Sequence, residues 1–216
     1  LIALDGLYQA SEQVTRDEFK LFSEKISDPN IKIRAIGWLP LIHHHQRLVF
    51  EKSLSELNFP VAKIRTLTPN GVVPAPEQSL YMPIFFIEPI EKNKSALGLD
   101  VSSHPIVKTS VDKAIRIRSH VISPLLSLAQ QQDKYTGVVV YYPVYKQANG
   151  GNTRQFIGLV EVVFELDLML LDYYQQANIQ HFSFSFEYGK GNSFTHPEFN
   201  PEAIFTHSAQ LVLFDK

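Results

Sequence analysis

Leu80-Tyr-Met-Pro-Ile-Phe-Phe-Ile-Glu-Pro-Ile90 opens the stretch on which the architecture turns, Ser79 to Tyr145. It reads as an extended aromatic run, and because Pro83 and Pro89 cannot donate to a ladder it reads as an edge or bulged strand. Alternation puts Tyr81, Pro83, Phe85 and Ile87 on one face and Met82, Ile84, Phe86 and Glu88 on the other. A polar turn at 91–95 leads to Ala96-Leu-Gly-Leu-Asp100, where Asp100 is placed to cap or brace the following loop. Ser102 and Ser103 ahead of Pro105 are a helix start. Val107, Val111 and Ala114 mark its buried face as far as about Arg118. Val121 to Leu128 reads as a strand, 130–134 as a hairpin tip, and Gly137-Val-Val-Val-Tyr-Tyr-Pro-Val-Tyr145 as a second extended run. Strand, turn, helix and strand in succession form one α+β unit whose sheet has a face available to a small ligand.

Upstream, residues 1–27 read as one amphipathic helix. Leu4, Leu7, Tyr8, Val14, Phe19, Phe22 and Ile26 follow helical spacing, and Pro29 ends the run. At 1.5 Å per residue it would be about 40 Å long, a stalk rather than a core helix. A short strand is expected over 31–38, and a second helix over 41–57 with Ile42, Val49, Phe50, Leu54 and Leu57 in one stripe. A short strand near 61–65 and a proline-rich loop with Asn70-Gly71 follow. Downstream of the central stretch, 150–152 reads as a loop, 156–165 as a strand and 166–176 as an apolar helix. Residues 179–188 read as a strand alternating Phe182, Phe184, Phe186 and Tyr188, 189–192 as a turn and 203–214 as a final strand.

The chain has 216 residues, 20 basic and 22 acidic side chains, and no cysteine. A net charge of -2 leaves no footprint for nucleic acid. Lack of cysteine excludes disulfides, zinc-thiolate sites and thiol nucleophiles. No apolar run reaches the roughly 18 to 20 residues that span a bilayer. The chain begins at Leu1 without an initiator methionine or charged signal region, so it reads as part of a longer protein, with any membrane anchor outside it.

His43-His44-His45 suggests a metal, but on a helix three consecutive rings spread over about 200° and cannot converge. No metal and no cofactor are expected. Glu88, Asp100 and His104 are the one candidate acid-base set, without a nucleophile elbow, a phosphate loop or a ligand cluster beside them. A ligand pocket needs apolar walls and a few fixed polar groups. Phe85, Ile87, Leu99, Val107, Val138, Val140 and Tyr142 are the wall candidates. Tyr81, Asp100, Ser123 and Tyr142 are the polar ones.

Ile36-Gly-Trp-Leu-Pro40, Arg47 with Phe50-Glu51, Phe86-Ile-Glu-Pro89 with Ala96-Leu-Gly-Leu-Asp100, Gly137-Val-Val-Val-Tyr-Tyr-Pro-Val144 and Phe156-Ile-Gly-Leu-Val160 together resemble a CHASE domain, the extracytoplasmic sensor of membrane-bound histidine kinases and nucleotide cyclases. The resemblance implies a stalk helix followed by two PAS-like subdomains with antiparallel sheets. Residues 1–58 would hold the stalk and second helix, 59–148 the membrane-distal ligand-binding subdomain and 149–216 the membrane-proximal one. In the plant cytokinin receptors of this family a carboxylate on the helix after the Leu-Asp segment holds the ligand's adenine ring. Ungapped matching puts Val107 there, so binding of that kind is not expected, while Ser123 falls where those receptors carry a small hydroxyl residue.

The resulting expectation is a non-catalytic periplasmic sensor module of an inner-membrane receptor. It binds an unidentified small molecule, signals to a cytoplasmic kinase or cyclase, and forms a homodimer through the N-terminal helix. The competing readings are a structural or dimerisation spacer and a hydrolase using Glu88, Asp100 and His104.

Overall fold

The computed structural model describes residues 2–27, 33–57, 63–128, 135–147, 153–166, 168, 169, 172, 185–188 and 192–195. Two helices lead, α1 (Ile2–Ala10) and α2 (Arg16–Ile26), followed by strands β1 (Ile33–Pro40) and β2 (Ile42–His43) and helix α3 (Arg47–Glu56). Next come β3 (Arg65–Thr68), β4 (Gly71–Pro74), β5 (Leu80–Tyr81), β6 (Phe86–Glu88), α4 (Ile90–Asn93) and α5 (Pro105–Ile117). The chain continues through β7 (Val121–Ile122), β8 (Leu126–Leu128), β9 (Tyr135–Gln147), β10 (Arg154–Glu165), β11 (Ser185–Tyr188) and β12 (Asn192–Thr195). The architecture is α+β, as the sequence suggests.

A six-stranded antiparallel sheet in the order β6-β1-β10-β9-β7, with β8 also on β9, organises the chain. Its central pair is long because β9 and β10 are rich in β-branched and aromatic residues that suit a pleated, covered surface. Both faces are covered. On the inner face Ala35, Leu39, Val139, Tyr141, Leu159 and Val163 pack with Val107, Val111 and Ala114 of α5. On the outer face Ile36, Trp38, Phe86, Val144, Val160 and Val162 pack with Leu4, Tyr8, Val14 and Phe19 of the N-terminal helices. Tyr8 stacks on Trp38 with ring centroids 3.8 Å apart.

The N-terminal region corrects the expected single helix. Thr15 and Glu18 form a capping box, the Glu18 N–H donating to Thr15 Oγ1 and the Thr15 N–H to the Glu18 carboxylate. That closes a fresh helix start, so α1 and α2 are two helices split around residues 11–15, not a stalk about 40 Å long. Their apolar stripes lie in the outer core, so the surface expected to dimerise is already covered by the chain's own sheet. Replacing Thr15 with Ala is expected to cost about 1 kcal/mol, read as a lower urea midpoint with an unchanged slope.

Other elements differ in extent. The expected helix over 41–57 starts only at Arg47, because Ile42 and His43 pair with Tyr81 and Leu80 before a 3-10 turn at His44–Gln46. The run 80–90 divides into β5 and β6 around Pro83, and β6 lies at the sheet edge. Pro124 likewise separates β7 from β8. Residues 65–74, read as a strand end and loop, form the β3–β4 hairpin around Asn70-Gly71. The sheet joins strands from all three segments that the sequence reading sets apart, since β1 and β10 lie side by side. Leu166, Leu168, Met169 and Asp172 are helical, and β11 pairs with β12. The loop at 150–152, the hairpin tip at 130–134 and the strand at 203–214 lie outside the described residues. Among the described residues no helix is long and apolar enough to cross a membrane.

Candidate ligand-binding site

A cavity of about 370 Å³ opens between the inner sheet face and the segments that cover it. Ala35, Val139, Glu161 and Val163 line it from the sheet, Val107 from α5, and Ile84, Ile87, Ala96, Leu99 and Val101 from the crossing between β5 and α5. Leu67 and Val72 of the β3–β4 hairpin and Leu126 of β8 complete the apolar wall. Its volume is in the range of small-molecule pockets. α5 bridges this space because Pro105 starts it directly after the Val101–Ser103 turn, and because Arg118, in the left-handed conformation at φ 55°, ends it.

Glu161 is the chemical centre of this space. It sits mid-strand in β10, opposite Gly37 on β1 and Tyr141 on β9. Alternation with Leu159 and Val163 turns its side chain to the cavity face. Gly37 makes the position possible, because a Cβ there would lie 2.8 Å from Glu161 Oε1 and 2.9 Å from its Cγ. Among the described residues, the Glu161 carboxyl makes no hydrogen bond or ion pair, and it acts on Tyr141 electrostatically. Burial pushes it up to about 8, well above the usual carboxylate range. Burial, with Glu161 adding to it, also raises the Tyr141 phenol.

The remaining polar wall is mostly engaged within the protein. Arg34 pairs with Glu165 at 3.2 Å, and its Nε donates to Asn93 Oδ1. Asp100 Oδ1 accepts from the Met82 and Ser102 backbone N–H groups, each at 3.0 Å, and from the Ser102 hydroxyl. Ser103 donates to the Asp100 carbonyl. His104 Nδ1, by contrast, is buried without a partner.

Four of the sequence-derived candidates, Ile87, Leu99, Asp100 and Val107, meet at this cavity. The other six lie elsewhere. Val138, Val140 and Tyr142 pair with Phe164, Val162 and Val160, which places them on the outer face toward α1 and α2, while Val139 faces the cavity. Tyr81 belongs to a separate core with Phe50, Leu54 and Ile64, against which Phe85 packs. The Tyr81 hydroxyl accepts from Arg47 and from the Gln78 N–H. Ser123 Oγ accepts from the Val139 N–H at 3.0 Å and donates to the Pro124 carbonyl, tying β7 to β9. Of the supposed acid-base set, Asp100 and His104 line the cavity and Glu88 stands apart. Glu88 is not among the lining residues and accepts from the Ile90 N–H, and Asp100 is held as above. His43 leaves the expected helix for β2 and stacks on His45 at 5.6 Å, while His44 Nδ1 lies 3.1 Å from the Tyr81 hydroxyl. Among the described residues no three metal-ligating side chains converge. Sequence reasoning missed most of the lining, Arg34, Val139, Glu161, Val163 and Glu165 among it; of these Glu161 carries a readable signal, a single acid inside the apolar run Leu159-Val-Glu-Val-Val163.

The model of the CHASE domain family matches residues 12–196. No curated protein matches the chain. Among solved structures, an extracellular ligand binding receptor from Desulfohalobium retbaense is similar over 85% of this chain and 24% of its own, with 13% identity and a TM-score of 0.47. This chain spans about a quarter of that receptor's length.

Proposed function

The chain belongs to the CHASE domain family, and on that premise we propose that it is the ligand-binding sensor module of a bacterial transmembrane receptor, taking a small molecule into the cavity between α5 and the inner sheet face. The observation that carries this reading is Glu161, a buried carboxyl facing a mostly apolar space of about 370 Å³ without a hydrogen-bonding partner among the described residues. A plain core avoids such a group because an unpaired buried polar atom is costly. A ligand that supplies the partner recovers that cost.

The same reading includes an extracytoplasmic, periplasmic location, anchoring by membrane segments outside residues 1–216, and a PAS-like ligand-binding unit distal to the membrane. It places that unit on the whole sheet from β1 to β10 rather than on 59–148, with residues after 165 as the proximal unit. Dimerisation through residues 1–27 is not part of it, because their apolar faces lie in the core. Glu161 and Gly37 sit side by side on the neighbouring strands β10 and β1, β1 leading back to α1 and α2 and β10 onward to residues 166–216. A ligand that favours one spacing of that strand pair by about 1 to 3 kcal/mol shifts the relation between the two chain ends.

The test is a thermal-shift screen with small amines, amino acids, nucleobases and carboxylic acids. A ligand at 100 times its dissociation constant adds about 2.7 kcal/mol. Val107→Phe fills the cavity and is expected to abolish the shift while leaving the parent unfolding curve in place. A shift that persists in Val107→Phe, or none with any compound, would sink the reading.

A further inference from the structure

On the reading that this cavity is a ligand site, we propose that its ligand is an apolar molecule bearing a protonated nitrogen, an alkyl- or arylalkylammonium, whose charge pairs with the Glu161 carboxylate. The geometry leaves that carboxyl as the free polar handle deep in the wall. Glu161 leans over Gly37, Val139 and Val163 line the wall with it, and among the described residues no group of the sheet, Tyr141 opposite it included, hydrogen-bonds its oxygens.

The charges around the cavity point to a cation. Among the described lining residues the carboxyl groups of Asp100, Glu161 and Glu165 stand against one guanidinium, Arg34, which already pairs with Glu165 and donates to Asn93 and the Lys92 carbonyl. An anion entering this space meets an acidic wall whose one arginine is taken. An ammonium group meets a carboxylate in surroundings that screen the pair far less than water does. The apolar remainder of the ligand covers the valines and leucines of the wall.

Proton balance gives this proposal its signature. In the free protein burial keeps Glu161 protonated at neutral pH. Binding then exchanges one proton for one ligand, with the carboxylic acid releasing H⁺ to solvent as the ammonium ion takes its place. Affinity therefore rises about tenfold per pH unit up to about pH 8. Among the described residues, the titratable groups facing the cavity besides Glu161 are Arg34, Asp100, His104 and Glu165, with Tyr141 beside it on β9. His104 shares this wall, which is why the variant below is needed.

The probes are 2-phenylethylamine, 2-phenylethanol and 3-phenylpropionate, similar in shape and differing in charge, titrated calorimetrically into the chain at pH 6, 7 and 8. The amine should bind at least about ten times more tightly than the alcohol at pH 8, with the tenfold slope, and the propionate least. In Glu161→Gln the amine should fall to the level of the alcohol and lose its slope, while the alcohol is unchanged. Equal binding of amine and alcohol, or a slope that survives in Glu161→Gln, overturns the cationic ligand and leaves the cavity reading standing. No binding by any of the three to chain shown to be folded overturns the ammonium ligand and leaves the cavity reading to the broader screen.

Discussion

Glu161→Gln is expected to unfold at a higher urea concentration than the parent chain at pH 8 and at about the same concentration at pH 4.5. The folded chain holds the Glu161 proton up to about 8, whereas the unfolded chain releases it near the ordinary value of 4.5. Between those values the native state binds more protons than the unfolded state, so stability falls as pH rises and the loss is complete above about pH 8. One pKa unit corresponds to about 1.4 kcal/mol, so the interval caps the effect at about 5 kcal/mol, and water entering the cavity lowers it. Even half of that is a sizeable part of a domain's net stability. Glutamine keeps the shape and removes the titration, so the parent curve slopes with pH where the variant curve is flatter. Parallel curves, or a parent more stable than the variant at pH 8, would contradict the account. A gain in stability on removing a buried carboxyl is what a position kept for binding rather than for folding produces.

Gly158→Ala is expected to be the most damaging single-methyl change in the sheet, costing about 3 kcal/mol or more. A Cβ at this position would overlap the Leu39 carbonyl oxygen and lie 2.8 Å from Trp38 Cη2 and 2.9 Å from Pro40 Cα. Two of those three neighbours are backbone of the central strand β1, which cannot swing aside as a side chain can. Gly158 also sits where the β9–β10 register shifts, with φ at 157°, so the chain is irregular there already. Moving Trp38 disturbs its stack with Tyr8 and hence the docking of α1. Trp38 is the chain's one tryptophan, so fluorescence during urea unfolding reads the effect directly. Gly71→Ala is the control. Gly71 has φ 115° but nothing within 4 Å of an added methyl, so the change costs only backbone strain, about 1 kcal/mol. Equal losses at the two glycines would show that the close approach at Gly158 is not what matters.

Local chemistry made much of this molecule legible in advance. Pro105 marks the start of α5, and Val107, Val111 and Ala114 its buried face, because a proline start and a 3.6-residue period are written in neighbouring residues, whereas Ser102 and Ser103 belong to the turn that Asp100 caps and do not cap α5. The strand character of 137–145 and 156–165 is equally local, as is the order of motifs that resembles the family. The capping box at Thr15 and Glu18 was also there to be read, but the apolar period running through it is unbroken, and a period does not report that the chain has turned.

Element types, the α+β class and the family are all written along the linear chain, since each depends on residues near one another or on their order. Which sheet face holds the cavity is not, and it emerges only when distant segments pack. In β9 and β10 both faces are covered, one by α1 and α2 and the other by α5, so the run is apolar throughout and alternation carries no label for inside or outside. That is why Val139 lines the cavity in place of Val138 and Val140, and why Tyr81 and Ser123 bind the chain to itself. Packing also sets Glu161 opposite Gly37, more than a hundred residues away, where the missing side chain of one strand makes room for the carboxyl of the next.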